Sequence, residues 1–291
     1  MLRNRIILVA GGDLRQAHLI KLLSEYNDVY SVGIEKSDIA VKFSKPLNEL
    51  QEKPDYIIFP MPISVDGKNI NAPFSSKNIS VEDILAYADI HTFILGGKIT
   101  SELCAILQNR KLSYCDFLDR EELAVQNAVP TAEGALQIAM EELPVTIFGV
   151  NVLVTGYGRI GKILSKYLAD LGANVTVTAR KYSDLAWIKA CGYNAVHNDK
   201  LDEAIKNKDL IINTVPVCLF TKERLSNLDN KTLIIDLASK PGGVDFIAAN
   251  KLGFKTIRAL SLPGKVAPYT AGEIIFNTIS NIDSERRFSI E

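Results

Sequence analysis

Val152-Leu153-Val154-Thr155-Gly156-Tyr157-Gly158-Arg159-Ile160-Gly161 decides the fold class of this 291-residue chain. Four strand-forming residues run straight into Gly-x-Gly-x-x-Gly, and a helical pattern follows through Leu171, so the glycines stand where a strand hands over to a helix. Each glycine then has a task. Gly156 allows the tight turn, Gly158 lets the backbone approach a pyrophosphate, and Gly161 lets the helix pack closely on the strand. Backbone N–H groups at the helix start are left to meet phosphate oxygens. Outside that context the same glycines would describe a plain turn; within it, Tyr157, Arg159 and Ile160 complete a dinucleotide-binding loop.

The next strand, Val175-Thr176-Val177-Thr178-Ala179, ends where a dinucleotide fold meets the adenosine ribose. An NAD enzyme places Asp or Glu there, about twenty residues beyond the glycines, to hold the ribose hydroxyls. This chain has Ala179-Arg180-Lys181. With no carboxylate to repel a 2′-phosphate, and a guanidinium whose paired donors suit its oxygens, the expected cofactor is NADP. A solvated pair of charges is the competing reading. Two further apolar runs, Leu210 to Asn213 and Thr232 to Asp236, end in polar turns. Parallel sheets bind ligands at the carboxyl ends of their strands, so Thr214, Val215 and Pro216 are expected beside the cofactor, although Asn213 and Thr214 also suit simple turns.

Outward from this unit, short apolar runs alternate with amphipathic segments along the whole chain, the pattern of parallel sheets with crossover helices. A first series has strands near Arg5 to Ala10, Val29 to Gly33, Tyr56 to Phe59, Thr92 to Leu95 and Leu112 to Cys115. Pro60 to Ser80 reads as a long loop. Arg120 to Leu143 reads as a connecting helix that Pro130 breaks or kinks, with Thr131 capping a restart. The second series closes with a strand at Phe254 to Arg258. A final helix, about Ala271 to Ile282, has no strand left to pair with and is expected to pack back on the first domain. The fold class is therefore α/β, two doubly wound, Rossmann-like parallel sheets joined by a helix. The domains are 1–125 for substrate and partner, with 268–291 packing back, and 126–267 for NADP.

Bulk composition narrows the partners. With 47% hydrophobic and 23% charged residues the chain is of ordinary globular type, and 33 basic against 34 acidic residues leave a net charge of -1. No bulk field draws it to nucleic acid or an anionic membrane, so any anion site is local. Cys104, Cys115, Cys191 and Cys218 form no CxxC pair, and His18, His91 and His197 do not fall at metal-ligand spacing from them, so reduced thiols and no metal are expected. The three histidines read as surface or packing residues. The apolar run at Ile6 to Ala10 is too short for a signal peptide and reads as a first strand, and no run of about twenty apolar residues is long enough for a bilayer. The expected compartment is the cytoplasm.

Several stretches resemble the dipicolinate synthase A-subunit family of spore-forming bacteria: Gly11-Gly12-Asp13-Leu14-Arg15-Gln16, Pro130-Thr131-Ala132-Glu133-Gly134, Gly158-Arg159, Asp236 to Gly243, and Leu262-Pro263-Gly264-Lys265-Val266-Ala267-Pro268. The resemblance runs almost the full length. It implies an NADP-dependent oxidoreductase that acts with a flavoprotein-like B subunit, oxidising a dihydrodipicolinate to dipicolinate in the mother cell during sporulation; a homo-oligomer is left open. A dicarboxylate substrate needs local cations or backbone donors. Gly11 to Arg15 joins a strand to a helix start and reads as an anion nest with an arginine beside it, or as a tight turn capped by Asp13. Asp13, Arg15 and Lys265 are thus the substrate-binding candidates, and Lys240, Glu133 and Thr131 the catalytic ones, each equally open to a structural role. Two other functions stay open, a shikimate dehydrogenase-like NADP oxidoreductase and a non-catalytic NADP-sensing module.

Overall fold

The structure is a computed structural model and describes residues 2–288. The chain divides into two compact units, one running to Asn127 and taken up again from Ala267, the other Ala128–Val266. In the first, β1 (Ile6–Ala10), α1 (Leu14–Leu23), β2 (Asp28–Val32), α2 (Asp38–Phe43), β3 (Lys45–Pro46), β4 (Tyr56–Ile58), α3 (Val81–Leu85), β5 (Phe93–Gly96), α4 (Ser101–Asn109) and β6 (Ser113–Asp116) follow one another, and α5 (Glu121–Glu142) leads out. The second holds β7 (Asn151–Thr155), α6 (Arg159–Asp170), β8 (Asn174–Ala179), α7 (Tyr182–Ala190), β9 (Asn194–His197), α8 (Leu201–Ala204), β10 (Leu210–Asn213), α9 (Lys222–Leu225), β11 (Leu233–Asp236), α10 (Phe246–Lys251), β12 (Thr256–Arg258) and α11 (Leu262–Val266). The last helix, α12 (Pro268–Phe288), belongs to the first unit.

Both sheets are parallel and six-stranded, ordered β3-β2-β1-β4-β5-β6 and β12-β11-β10-β7-β8-β9. Counted from its own first strand, each has the order 3-2-1-4-5-6 of a doubly wound dinucleotide fold. The period of two along a strand explains the layers. Val152 and Val154 of β7 pack with Leu164 and Leu168 of α6 on one face, while Leu153 joins Leu201, Ile205 and Phe220 on the other. In the first unit Ile7 and Val9 pack with α1 and α12, and Leu8 and Ala10 with α3. The approach of α12 to α1 is close at Gly272, where a Cβ would lie 2.7 Å from the Arg15 carbonyl oxygen.

Of the two outcomes expected at Pro130, a break or a kink, the break does not occur: α5 runs through it without interruption. Proline inside a helix removes a hydrogen bond and costs roughly 3 kcal/mol. Against that, Ala132, Ala135 and Ala139, spaced at helical intervals, are fully buried in the second core, and Pro130 is itself buried. Packing of this stripe offsets the lost bond, and Thr131 lies in mid-helix, where it caps no helix start. The sequence pattern places no strand at the two-residue β3 or at β9, and no helix at α2, which the Ser37 hydroxyl caps, or at α7 through α11. The segment Pro60 to Ser80 is a loop, tied by isolated bridges between Ser64 and Ile70 and between Asn69 and Ser80. Among the described residues no helix is long and apolar enough to cross a membrane.

Candidate functional site

The turn after β7 needs each of its glycines for a different steric reason. Gly156 has φ +93°, a left-handed value, and a Cβ there would lie 2.6 Å from the Thr214 hydroxyl. At Gly161 a Cβ would meet the Gly156 carbonyl oxygen at 2.2 Å, so this glycine lets α6 close on the turn. Gly158 differs from both. Its φ is −81°, and a Cβ there would meet nothing within 4 Å. It is also the N-cap of the twelve-residue α6 and brings no capping side chain to it. The N–H donors at that helix start carry the positive end of the helix dipole.

The open side of Gly158 faces a cavity of 570 Å³, within the range of small-molecule sites. Gly156, Tyr157 and Gly158 form one wall, and Arg180 and Lys181, with Asp184, form another. Val215, Val217 and Leu219 supply an apolar side, and Asn198 completes it. Strand register explains the grouping. Ala179 pairs with His197, so Arg180 and Asn198, the residues after them, emerge side by side from the carboxyl edge of β8 and β9. His197 holds that edge: its Nε2 lies 2.9 Å from the Arg180 carbonyl oxygen, and its ring stacks on Tyr182 with centroids 5.3 Å apart. Tyr157 donates to Cys191 Sγ at 3.6 Å. Burial, then that contact, push its phenol up, so it stays protonated at neutral pH.

A buried polar network fixes the strand ends behind the cavity. Thr155, Asn213 and Asp236 are fully buried and stand in register across β7, β10 and β11. Thr155 Oγ1 donates to Asn213 Oδ1 at 2.6 Å, and Asn213 Nδ2 donates to Asp236 Oδ1 at 2.7 Å and to the Val215 carbonyl at 2.9 Å. The Asp236 carboxylate also accepts from the N–H groups of Ala238 and Gly243, at 3.1 and 2.9 Å. Gly243 must be glycine here, since a Cβ would fall 2.0 Å from Asn213 Nδ2. Thr214 serves the same turn by donating to the Thr155 carbonyl at 2.7 Å.

Not every residue singled out by the sequence meets at this cavity. Arg159, Ile160, Gly161, Thr214 and Pro216 adjoin it without lining it, and Lys240, Glu133, Thr131 and Lys265 do not line it either. Lys240 is exposed in the turn after β11, and Glu133 is exposed on α5. Lys265 is exposed on α11, a helix that lies against α5 where Leu262 meets Gly134 at 3.1 Å from its would-be Cβ. Asp184, Asn198, Val217 and Leu219 line the cavity and carry no motif in the sequence. At the expected anion nest, Gly11 to Arg15, several donors have partners within the protein. Gly11 N donates to the Val32 carbonyl, Gly12 N to the Asn71 carbonyl, and Asp13 N to Gln16 Oε1. Arg15 is 8% exposed and donates to both carboxylate oxygens of Asp13, at 2.9 and 2.8 Å, and to the Met61 carbonyl at 3.1 Å.

Comparison with known proteins matches this geometry. A family model described as the N-terminal domain of the dipicolinate synthase A subunit covers residues 6–118. The chain is 37% identical over 98% of its length to the dipicolinate synthase A subunit of Bacillus subtilis strain 168, of which it covers 98%. It belongs to the dipicolinate synthase A-subunit family. Crystal structures agree: the A chain of dipicolinate synthase from Bacillus subtilis superposes with a TM-score of 0.89 at 36% identity, covering 99% of both chains. The dipicolinate synthase A subunit from Bacillus halodurans gives 0.88 at 31% identity, covering 97% of this chain and 98% of that one. Residues 126–240 of this member of the dipicolinate synthase A-subunit family also match the NAD-binding domain of D-isomer specific 2-hydroxyacid dehydrogenases, a span that contains the whole lining of the 570 Å³ cavity. The second unit is thus a nicotinamide-dinucleotide domain of oxidoreductase type. Its residues fit such a ligand: among the described residues nothing lies within 4 Å of the space a Cβ on Gly158 would enter, and Gly158 brings no capping side chain to the start of α6.

Proposed function

We propose that this chain is the nucleotide-binding subunit of a dipicolinate synthase, that it uses NADP, and that it works with a second polypeptide, the B subunit, on a small cyclic dicarboxylate. The full-length similarity to the Bacillus subtilis A subunit carries the reaction and the need for a partner polypeptide. The cofactor choice rests on Arg180 and Lys181 in the cavity wall, at the strand end where a carboxylate would select NAD. Bound NADP supplies a hydride acceptor. A dihydropyridine substrate would then have a hydride acceptor beside it and could release its proton to solvent or a nearby base, with aromaticity as the driving force. The role of the protein is then to orient the ring and to neutralise two carboxylates, with Lys265 as the cation for one of them and Lys240, Glu133 and Thr131 as the groups around the reacting carbon.

Absorbance at the reduced-nicotinamide band tests this directly. With NADP, the dihydrodipicolinate substrate and the B subunit present, reduced cofactor accumulates, and omission of the B subunit slows or abolishes the signal. Tight NADPH binding with no turnover under any of these conditions would identify a sensing module and end the proposal.

A further inference from the structure

An apolar face lies on the second unit, at the opposite edge of the sheet from the nucleotide cavity. Met140, Leu143, Val145, Phe148 and Leu171 line a shallow hollow of 590 Å³ where α5 ends and the chain turns into β7. Phe148 is 78% exposed, Val145 57% and Met140 54%. Single exposed apolar side chains are ordinary on a protein surface, whereas a contiguous group of them marks an interface. The ring of Phe148 is also held in place. Gly172, at φ +84°, makes room for its edge, since a Cβ there would lie 2.4 Å from Phe148 Cδ2, and Gly149 N donates to the Gly172 carbonyl at 2.9 Å. A fixed aromatic ring facing solvent loses little freedom when it is covered, which is the property of an interface anchor.

Shape, charge and place say what covers this face. It carries an exposed ring and a hollow side by side, and a twofold axis would set the ring of each copy against the hollow of the other, the self-complementarity that an isologous contact needs. Such a contact also brings like charges together, so it suits a face without free charge. Residues 143–150 contain no charged side chain, and of those flanking them Glu142 pairs with Lys255 and Asp170 with Lys166. Glu141 accepts from Gln137 Nε2 at 2.9 Å, and an acidic flank of this kind does not suit an anionic membrane. The face stands at the amino ends of β7 and β8, whereas a polypeptide that takes part in the reaction has to reach the carboxyl ends, where the nucleotide cavity lies. We infer that this face joins two copies of the chain, Phe148 of each seated in the apolar hollow of the other. The inference does not depend on which nucleotide the cavity binds.

Sedimentation equilibrium of the full chain, with no ligand added, tests this. The parent should show twice the 32.0 kDa mass of one chain in the micromolar range. Phe148→Asp removes an anchor from each copy at once and should weaken the pair by about 100-fold or more, so that single chains appear. Val145→Asp, on the hollow side of the contact, should do the same and decides the matter if circular dichroism shows the first variant unfolded. Ile247→Asp, 74% exposed on α10 and outside the face, should leave the pair intact. A parent of single-chain mass throughout the micromolar range overturns the inference, as does a pair that survives both Phe148→Asp and Val145→Asp, or one that dissociates equally in Ile247→Asp. If single chains associate only when the B subunit is added, and Phe148→Asp abolishes that association, the face belongs to the other polypeptide and the inference is overturned as well.

Discussion

The loop after β1 and the loop after β7 occupy equivalent places in two sheets of the same strand order, yet one is closed and the other open. Both begin alike: Gly11 N donates to the Val32 carbonyl and Gly156 N to the Thr178 carbonyl, each reaching the second strand of its own sheet, and both glycines have positive φ. The difference arises at the helix caps. Asp13 caps α1 in a reciprocal capping box with Gln16, and Arg15 neutralises Asp13. Gly158 caps α6 with no side chain at all. The Gln16 side chain fills the space beside Gly12, where a Cβ would lie 2.4 Å from it, whereas nothing lies within 4 Å of a Cβ on Gly158. A glycine-rich strand-to-helix turn is therefore only a scaffold; what decides ligand binding is whether the helix donors are satisfied by the protein's own side chains.

That contrast can be attacked most strongly at Gly158. Gly158→Val should keep the fold, since φ there is ordinary and the new side chain enters open space, but it should weaken NADPH binding by more than about 100-fold, or roughly 3 kcal/mol. Titration beside a thermal melt checks both halves, and unchanged affinity would separate the open cradle from the pyrophosphate. Arg180→Ala should cost about 1.5–3 kcal/mol in NADPH affinity and little in NADH affinity. Equal losses for the two cofactors would show that the guanidinium does not read the 2′-phosphate.

In the closed loop the expected effects are on stability instead. Gly12→Ala places a Cβ at φ +101° and displaces Gln16 from its cap, which should lower unfolding free energy by about 1–2 kcal/mol while leaving NADPH affinity as it was. Denaturant midpoints measure it; a change in nucleotide affinity instead would mean that this loop also serves the cofactor. Arg15→Met should have the smallest effect, about 1 kcal/mol of stability, because the Asp13 side chain it leaves behind is 34% exposed and can be hydrated. A loss of substrate affinity without loss of stability would restore Arg15 to a binding role.

The alternation of apolar residues suffices to place β7, β8 and β10 from sequence, because central strands of a parallel sheet are apolar on both faces and end at sharp polar turns. It fails at β9, where Asn194 and His197 flank only two apolar residues at a sheet edge. That failure hides Asn198, whose neighbour Arg180 is evident from the charged step after Ala179; adjacency of the two depends on a pairing that the pattern of β9 does not announce. The continuity of α5 is hidden for a different reason. Local preference argues for a break at Pro130, and only burial of Ala132, Ala135 and Ala139 against a distant core overrides it. Gly11 to Arg15 reads as a nest because its backbone pattern suits one, while the acceptors that occupy it come from Val32 and Asn71, far along the chain.

The chain of Thr155, Asn213 and Asp236 has a consequence for how the second sheet is assembled. Its members come from three strands, and each meets its partners only when β7, β10 and β11 lie in one alignment. A slip of one residue in β11 would turn Asp236 to the other face of the sheet, away from Asn213 and from the N–H groups of Ala238 and Gly243. A carboxylate stranded in that interior costs several kcal/mol. The apolar runs Leu210 to Ile212 and Leu233 to Ile235 are nearly interchangeable in shape and would tolerate such a slip on their own. Three polar side chains thus act as a parity check on an otherwise ambiguous stack of strands, disfavouring misaligned sheets.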